Sequence, residues 1–73
     1  MSSHITYIVR DTFNQRVVSR HFTVLAAIRA ERAFLRAVRR ANGRNSYLPT
    51  EVVASDGSDI SDEYFAANRT LTR

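Results

Sequence analysis

The stretch that decides the fold is TVLAAIRAERAFLRAVRRANG, residues 23–43. Alanine, leucine, arginine and glutamate dominate it, and neither glycine nor proline interrupts it before Gly43. Residues of these types lose little conformational freedom in a helix, so the segment carries a strong helical bias. Thr23 is placed to cap the first turn, and Asn42-Gly43 supplies a stop, because Gly43 is free to take the left-handed conformation of a helix C-terminus. Arg39 and Arg40 fall in the last turn, where cations complement the negative end of the helix dipole. A helix over 24–41 is predicted.

At about 100° per residue the predicted helix divides into two faces. Val24, Ala27, Ile28, Phe34, Leu35 and Val38 form an apolar sector, continued by Ala30 and Ala41. Arg29, Arg32, Arg36, Arg39 and Arg40 gather within an arc of about 100° on another side. Glu31 breaks the pattern, since it projects from the middle of the apolar sector. A buried carboxylate needs a partner, and Arg10, Arg20, His4 and His21 are the expected candidates, or else a place near the sheet edge where it reaches water.

The apolar sector needs a cover, and the residues before it supply one. ITYIVR (5–10) and VVSRHF (17–22) are rich in β-branched and aromatic residues and flank DTFNQ (11–15), so they read as a β-hairpin. Ile5, Tyr7, Val9, Val18 and Phe22 are the side chains expected to meet the helix. Each large one buried there contributes roughly 1.5–3 kcal/mol. After a loop over 44–47, LPTEVVA (48–54) makes a third short strand, with Pro49 at its start or on an edge because it has no N–H to donate. SDGSD (55–59) breaks the chain. Beyond it, at most one or two helical turns capped by Ser61 are expected. The fold class is thus α+β, a small β-β-α(-β) domain over 1–55 with a mobile acidic tail over 56–73.

Charge follows the same division. All of the base is arginine, eleven residues with no lysine, and the net charge is +4 on 73 residues. Residues 1–45 hold nine arginines against Asp11 and Glu31, a net of +7, whereas 46–73 carry −3. Guanidinium makes forked hydrogen bonds and stacks on flat groups where ammonium does not. The arginine face of the helix is therefore the main candidate surface, for nucleic-acid phosphates or for an acidic protein. Five arginines with almost no acidic neighbours repel one another, which most solvated faces avoid. Phe13, flanked by Arg10 and Arg16 in the hairpin loop, is a second candidate: either a plug folded into the core or an exposed aromatic anchor. Tyr64-Phe65 forms a local aromatic cluster in the tail or a contact that orders on binding.

Several classes are disfavoured. A chain this short buries only about 60% of the surface its unfolded form exposes, which leaves little rigid support for a catalytic cleft. No Ser, His and carboxylate arrangement carries nucleophile spacing, so no enzyme is expected. There is no Cys, two histidines are too few for a usual metal site, and Asp56, Asp59, Asp62 and Glu63 lack calcium-loop spacing, so no metal or cofactor is expected. No run approaches the roughly 18 apolar residues of a membrane span. The N-terminal MSSH has no basic region followed by an apolar run, so a secretory signal is not expected, and Asn68-Arg69-Thr70 as a glycosylation site is incidental. A cytoplasmic monomer is expected.

A lysine-free basic β-β-α body with an acidic tail, 73 residues long, resembles a family of small transcription regulators made by lytic bacteriophages. The resemblance lies in size and layout over the whole chain, with no binding residue carried over. It implies a protein that docks on the large subunits of bacterial RNA polymerase, with nucleic acid nearby, and that acts by antitermination or by inhibiting initiation in the host cytoplasm. Other tiny phage inhibitors, including anti-CRISPR proteins, share the scale and style. The residues expected to carry binding are Arg29, Arg32, Arg36, Arg39, Arg40, Arg10, Phe13 and Arg16. The alternative is a nucleic-acid-binding module that works through the same arginine face.

Overall fold

A computed structural model describes residues 4–46 and 48–72. Expectations that fall on residues 1–3, Tyr47 and Arg73 lie outside them. The chain order is β1 (Tyr7–Asp11), β2 (Arg16–His21), α1 (Val24–Asn42), β3 (Thr50–Ala54) and α2 (Ser61–Thr72). The α+β class is as the sequence predicts. The three strands form one antiparallel sheet in the order β2-β1-β3, so β3 is an edge strand and Pro49 precedes it.

Helix α1 forms for the reasons its sequence supplies. The Thr23 hydroxyl accepts the Ala26 N–H at 3.1 Å, and Gly43, at a φ of 110°, donates its N–H to the Arg39 carbonyl at 2.8 Å. Val24, Ala27, Ile28 and Glu31 are its buried residues. Val24 and Ile28 join Ala54 and Ile60 in the core, with Tyr7 and Val52 packed alongside, so the helix lies on one face of the sheet. Ile28 and Val9 are fully buried.

Strand register decides which hairpin residues share that core. Tyr7 pairs with His21 and Val9 with Ser19, whereas Arg10 pairs with Val17, which leaves Val18 in a bulge. Directly paired residues share a face and neighbours alternate. Tyr7 faces the helix, hence His21 does too, and Phe22 lies one residue past the end of β2. Phe22 is 76% exposed. This corrects its expected place in the core, and Ile5 is likewise exposed.

The second correction concerns the tail. Residues 61–72 form the helix α2, docked on the core, rather than one or two isolated turns. Asp59 accepts both the N–H and the hydroxyl of Ser61, and the Ile60 carbonyl accepts the first intrahelical bond, from the Tyr64 N–H at 2.8 Å. Ile60 is buried in the core cluster, and Tyr64, Ala67 and Leu71 pack against it. A polar twelve-residue helix is marginal in water but is held when one stripe is buried. Spacings of four, three and four residues place these four side chains on one such stripe.

The direction of α1 sets where its charges go. Val24 shares the core cluster with Ala54, which pairs with Tyr7 at one end of the sheet. Glu31 bonds to Thr50, which pairs with Asp11 at the hairpin-loop end. The eleven residues after Glu31 run about 16 Å further, beyond the sheet on that side. This overhang agrees with a longest dimension of 46 Å. Arg36, Arg39, Arg40 and Arg44 thus lie towards the hairpin-loop end. Asp56, Asp59, Asp62 and Glu63 follow β3 at the opposite end. The split of charge along the sequence becomes a split in space.

Candidate docking surface

Arg29, Arg36, Arg39 and Arg40 are exposed along α1. No carboxylate among the described residues pairs with any of them. The C-terminal helix α2 folds back on α1 but does not neutralise this face, because its acidic residues sit in its own first turn.

Arg32 belongs to a different environment. Its guanidinium donates to the Asn68 side-chain oxygen, to the Asn68 carbonyl at 3.4 Å and to the Leu71 carbonyl at 3.3 Å. The carbonyls near a helix C-terminus lack intrahelical donors and carry partial negative charge. Arg32 supplies a donor to the Leu71 carbonyl and holds Asn68 as well, so it fastens α2 to α1 at the border of the arginine arc.

The other predicted residues divide in the same way. Arg10 donates to Glu51 at 2.8 Å across the β1–β3 pairing, and to Gln15 at 3.4 Å. Arg16 projects into solvent with its nearest nitrogen 4.0 Å from Asp11. Phe13 is 71% exposed, so it is not a core plug. The loop that presents it is built around Asp11. One carboxylate oxygen of Asp11 accepts the N–H groups of Phe13 and Asn14 at 3.0 and 3.1 Å, and the other accepts the Asn14 side-chain amide at 2.7 Å. Gln15 closes the loop at a φ of 57° and returns its amide to the Thr12 carbonyl. The Asn14 amide, foremost, holds the Asp11 carboxyl below its usual range, with help from the two N–H groups and Arg16 and against the effect of burial.

Glu31 is satisfied, but not by the expected cations. Its two oxygens accept the hydroxyls of Thr50 at 2.7 Å and Tyr64 at 2.8 Å. Arg10 is engaged with Glu51, and His21 shares a hydrogen bond with Ser19 at 2.8 Å. His4 is exposed. Burial and the Glu31 carboxylate push the Tyr64 phenol up to about 12. Glu31 therefore ties α1 to β3 and α2 at one point.

Two features of the C-terminal half escaped the sequence reading. Thr50 and Tyr64 are ordinary residues until Glu31 shows what they must satisfy. A groove of about 440 Å³ runs beside β3, closed on its other side by residues 57–61 and the first turn of α2. Among the described residues there is no group of three or more potential metal ligands, and no helix is long and apolar enough to cross a membrane. No protein-family model, curated protein or solved structure matches this chain.

Proposed function

We propose that the chain is a docking regulator that binds a larger protein machine through the exposed arginine face of α1. The supporting observation is that Arg29, Arg36, Arg39 and Arg40 stand in solvent with no carboxylate partner among the described residues. Uncompensated like charges on one helix face oppose folding slightly, and an acidic partner relieves that repulsion. Arginine is also a frequent anchor at protein interfaces. Arg16 and Phe13 extend the surface, because the overhang of α1 and the hairpin loop lie towards the same end of the molecule.

In the resemblance to phage transcription regulators, the partner is bacterial RNA polymerase and the outcome is antitermination or inhibition of initiation. A small rigid wedge suits that role: it carries no chemistry of its own and acts by occupying a surface of the enzyme. The test is capture of partners from a bacterial lysate by the full chain, followed by titration against purified polymerase. Recovery of the large subunits is expected, with at least about tenfold weaker binding by the Arg29→Glu, Arg36→Glu double variant. Circular dichroism of that variant should match the parent. Capture without polymerase subunits sinks the polymerase assignment. Direct binding to DNA or RNA that weakens by about a hundredfold or more between 50 and 200 mM salt would place nucleic acid on this face instead.

A further inference from the structure

The strand β3 has a free side. Its pairs with β1 keep a constant register, and two bonds outside the strands fix the phase: the Pro49 carbonyl accepts the Thr12 N–H, and the Ser55 N–H donates to Thr6. In an antiparallel ladder, hydrogen-bonded pairs recur at every second residue. Glu51 and Val53 therefore spend their backbone groups on β1. Thr50, Val52 and Ala54 turn theirs outwards, and among the described residues only the Ala54 carbonyl has a partner there, the Gly57 N–H.

The groove lies along this edge. A strand laid beside β3 would direct alternate side chains to the helical side of the sheet, where Val52, Ile60, Tyr64 and Phe65 line the groove. Phe65 is 64% exposed and stacks edge-to-face on Tyr64, with ring centres 6.3 Å apart. Glu51 and Asp59 line the same groove, and the exposed Asp56, Asp62 and Glu63 adjoin its lining residues in sequence. Arg10, on Glu51, is the one cation paired there among the described residues.

We infer that the β3 edge and the groove beside it bind an extended peptide segment of a partner protein, one that alternates apolar and basic side chains. The peptide adds a fourth strand to the sheet. Its backbone meets the free groups of Thr50 and Val52 and the free N–H of Ala54, its apolar side chains fill the groove over Phe65, and its basic side chains, on the opposite face of the sheet, meet Glu51. Charge complementarity selects this occupant over a second copy, since the chain's own β3 carries Glu51 and no cation. The site does not depend on the arginine face of α1, which lies on another element.

The test uses the full chain and a labelled, capped peptide alternating valine and arginine. Saturable binding is expected, with NMR shifts and slowed exchange at the amides of Val52 and Thr50. Methylating one alternate set of peptide amides should weaken binding at least about tenfold, while methylating the other set leaves it within about twofold. Phe65→Asp, at an exposed position, should also weaken it at least about tenfold with an unchanged circular dichroism spectrum. Arg29→Glu should leave it no weaker, which separates this site from the arginine face. No binding, equal sensitivity to both methylation patterns, or indifference to Phe65→Asp would overturn the inference. So would a dimer that competes with the peptide, because it would seat a second copy on the edge.

Discussion

Asp11 and Glu31 are both buried carboxylates, yet they are held in opposite ways. Asp11 takes its donors from residues two and three positions on, within one hairpin loop. Glu31 takes its donors from hydroxyls 19 and 33 residues away, on β3 and α2. The first arrangement forms when the loop forms. The second exists only when the whole chain has folded, and it joins three elements at one point. Local satisfaction fixes the shape of a turn, whereas long-range satisfaction fixes the placement of α2, which polar composition alone would leave adrift.

The comparison breaks most visibly at Glu31. Glu31→Ala removes the acceptor of two hydrogen bonds and leaves two hydroxyls facing a gap. Bonds to a charged acceptor contribute roughly 1.5–3 kcal/mol each, so a loss of about 3 kcal/mol is expected in thermal or urea unfolding. The loss should concentrate in α2: hydrogen exchange over residues 62–71 should accelerate more than over β1 and β2. Uniform acceleration would mean that Glu31 stabilises the domain generally rather than docking α2.

Tyr64→Phe isolates one of the two bonds and should cost about 1.5–2 kcal/mol. The same residue gives a spectroscopic check. The folded phenol is raised from 10.0 to about 12. Its contribution is therefore fully present below pH 10 and is lost as the pH rises through about 12. The ultraviolet titration assigned to Tyr64, by difference from Tyr64→Phe, should move towards 10 in Glu31→Ala. An unmoved titration would leave burial alone as the cause.

Arg32→Ala sharpens the contrast from the other side. It frees the last turn of α2 without disturbing Glu31, and about 1 kcal/mol is expected, with faster exchange confined to residues 68–71. A fall in partner affinity without that local change would return Arg32 to the docking surface.

The distinction between local and long-range satisfaction also explains what was legible in the sequence. Helix α1, its Thr23 cap and its Gly43 stop are encoded within one segment, and the hairpin and β3 are close to that. The exposed arginines follow from helical geometry alone. Phe22 faces solvent because it lies one residue past β2, and the pairing that puts Tyr7 and His21 on the helix face is set between strands rather than within the segment. The Arg10–Glu51 pair joins residues 41 apart in sequence, so composition could not announce it. Helix α2 was encoded in the stripe of Ile60, Tyr64, Ala67 and Leu71, but its acidic surroundings masked it. Arg32 fell on the arginine arc, and only the position of α2 shows that it faces carbonyls rather than solvent.

Asp11→Asn should have the smallest effect, because the local arrangement is largely kept. Asparagine retains one oxygen for the Phe13 and Asn14 N–H groups and loses only the acceptor that faces the Asn14 amide. A melting temperature lowered by less than in Tyr64→Phe is expected at neutral pH. The clearer signature lies in acid. The Asp11 carboxyl sits below its ordinary 3.8, chiefly through the Asn14 amide. Its contribution is present above that value and is lost as the pH falls through the lower, folded one. Asp56 and Asp59 are also held low, first by the side chains of Ser58 and Ser61 respectively, so part of the acid dependence must remain in the variant. Asp11→Asn should therefore flatten the decline below about pH 4 without abolishing it. An acid profile identical to the parent's would show that the hairpin loop does not use the Asp11 charge, and that geometry alone holds it.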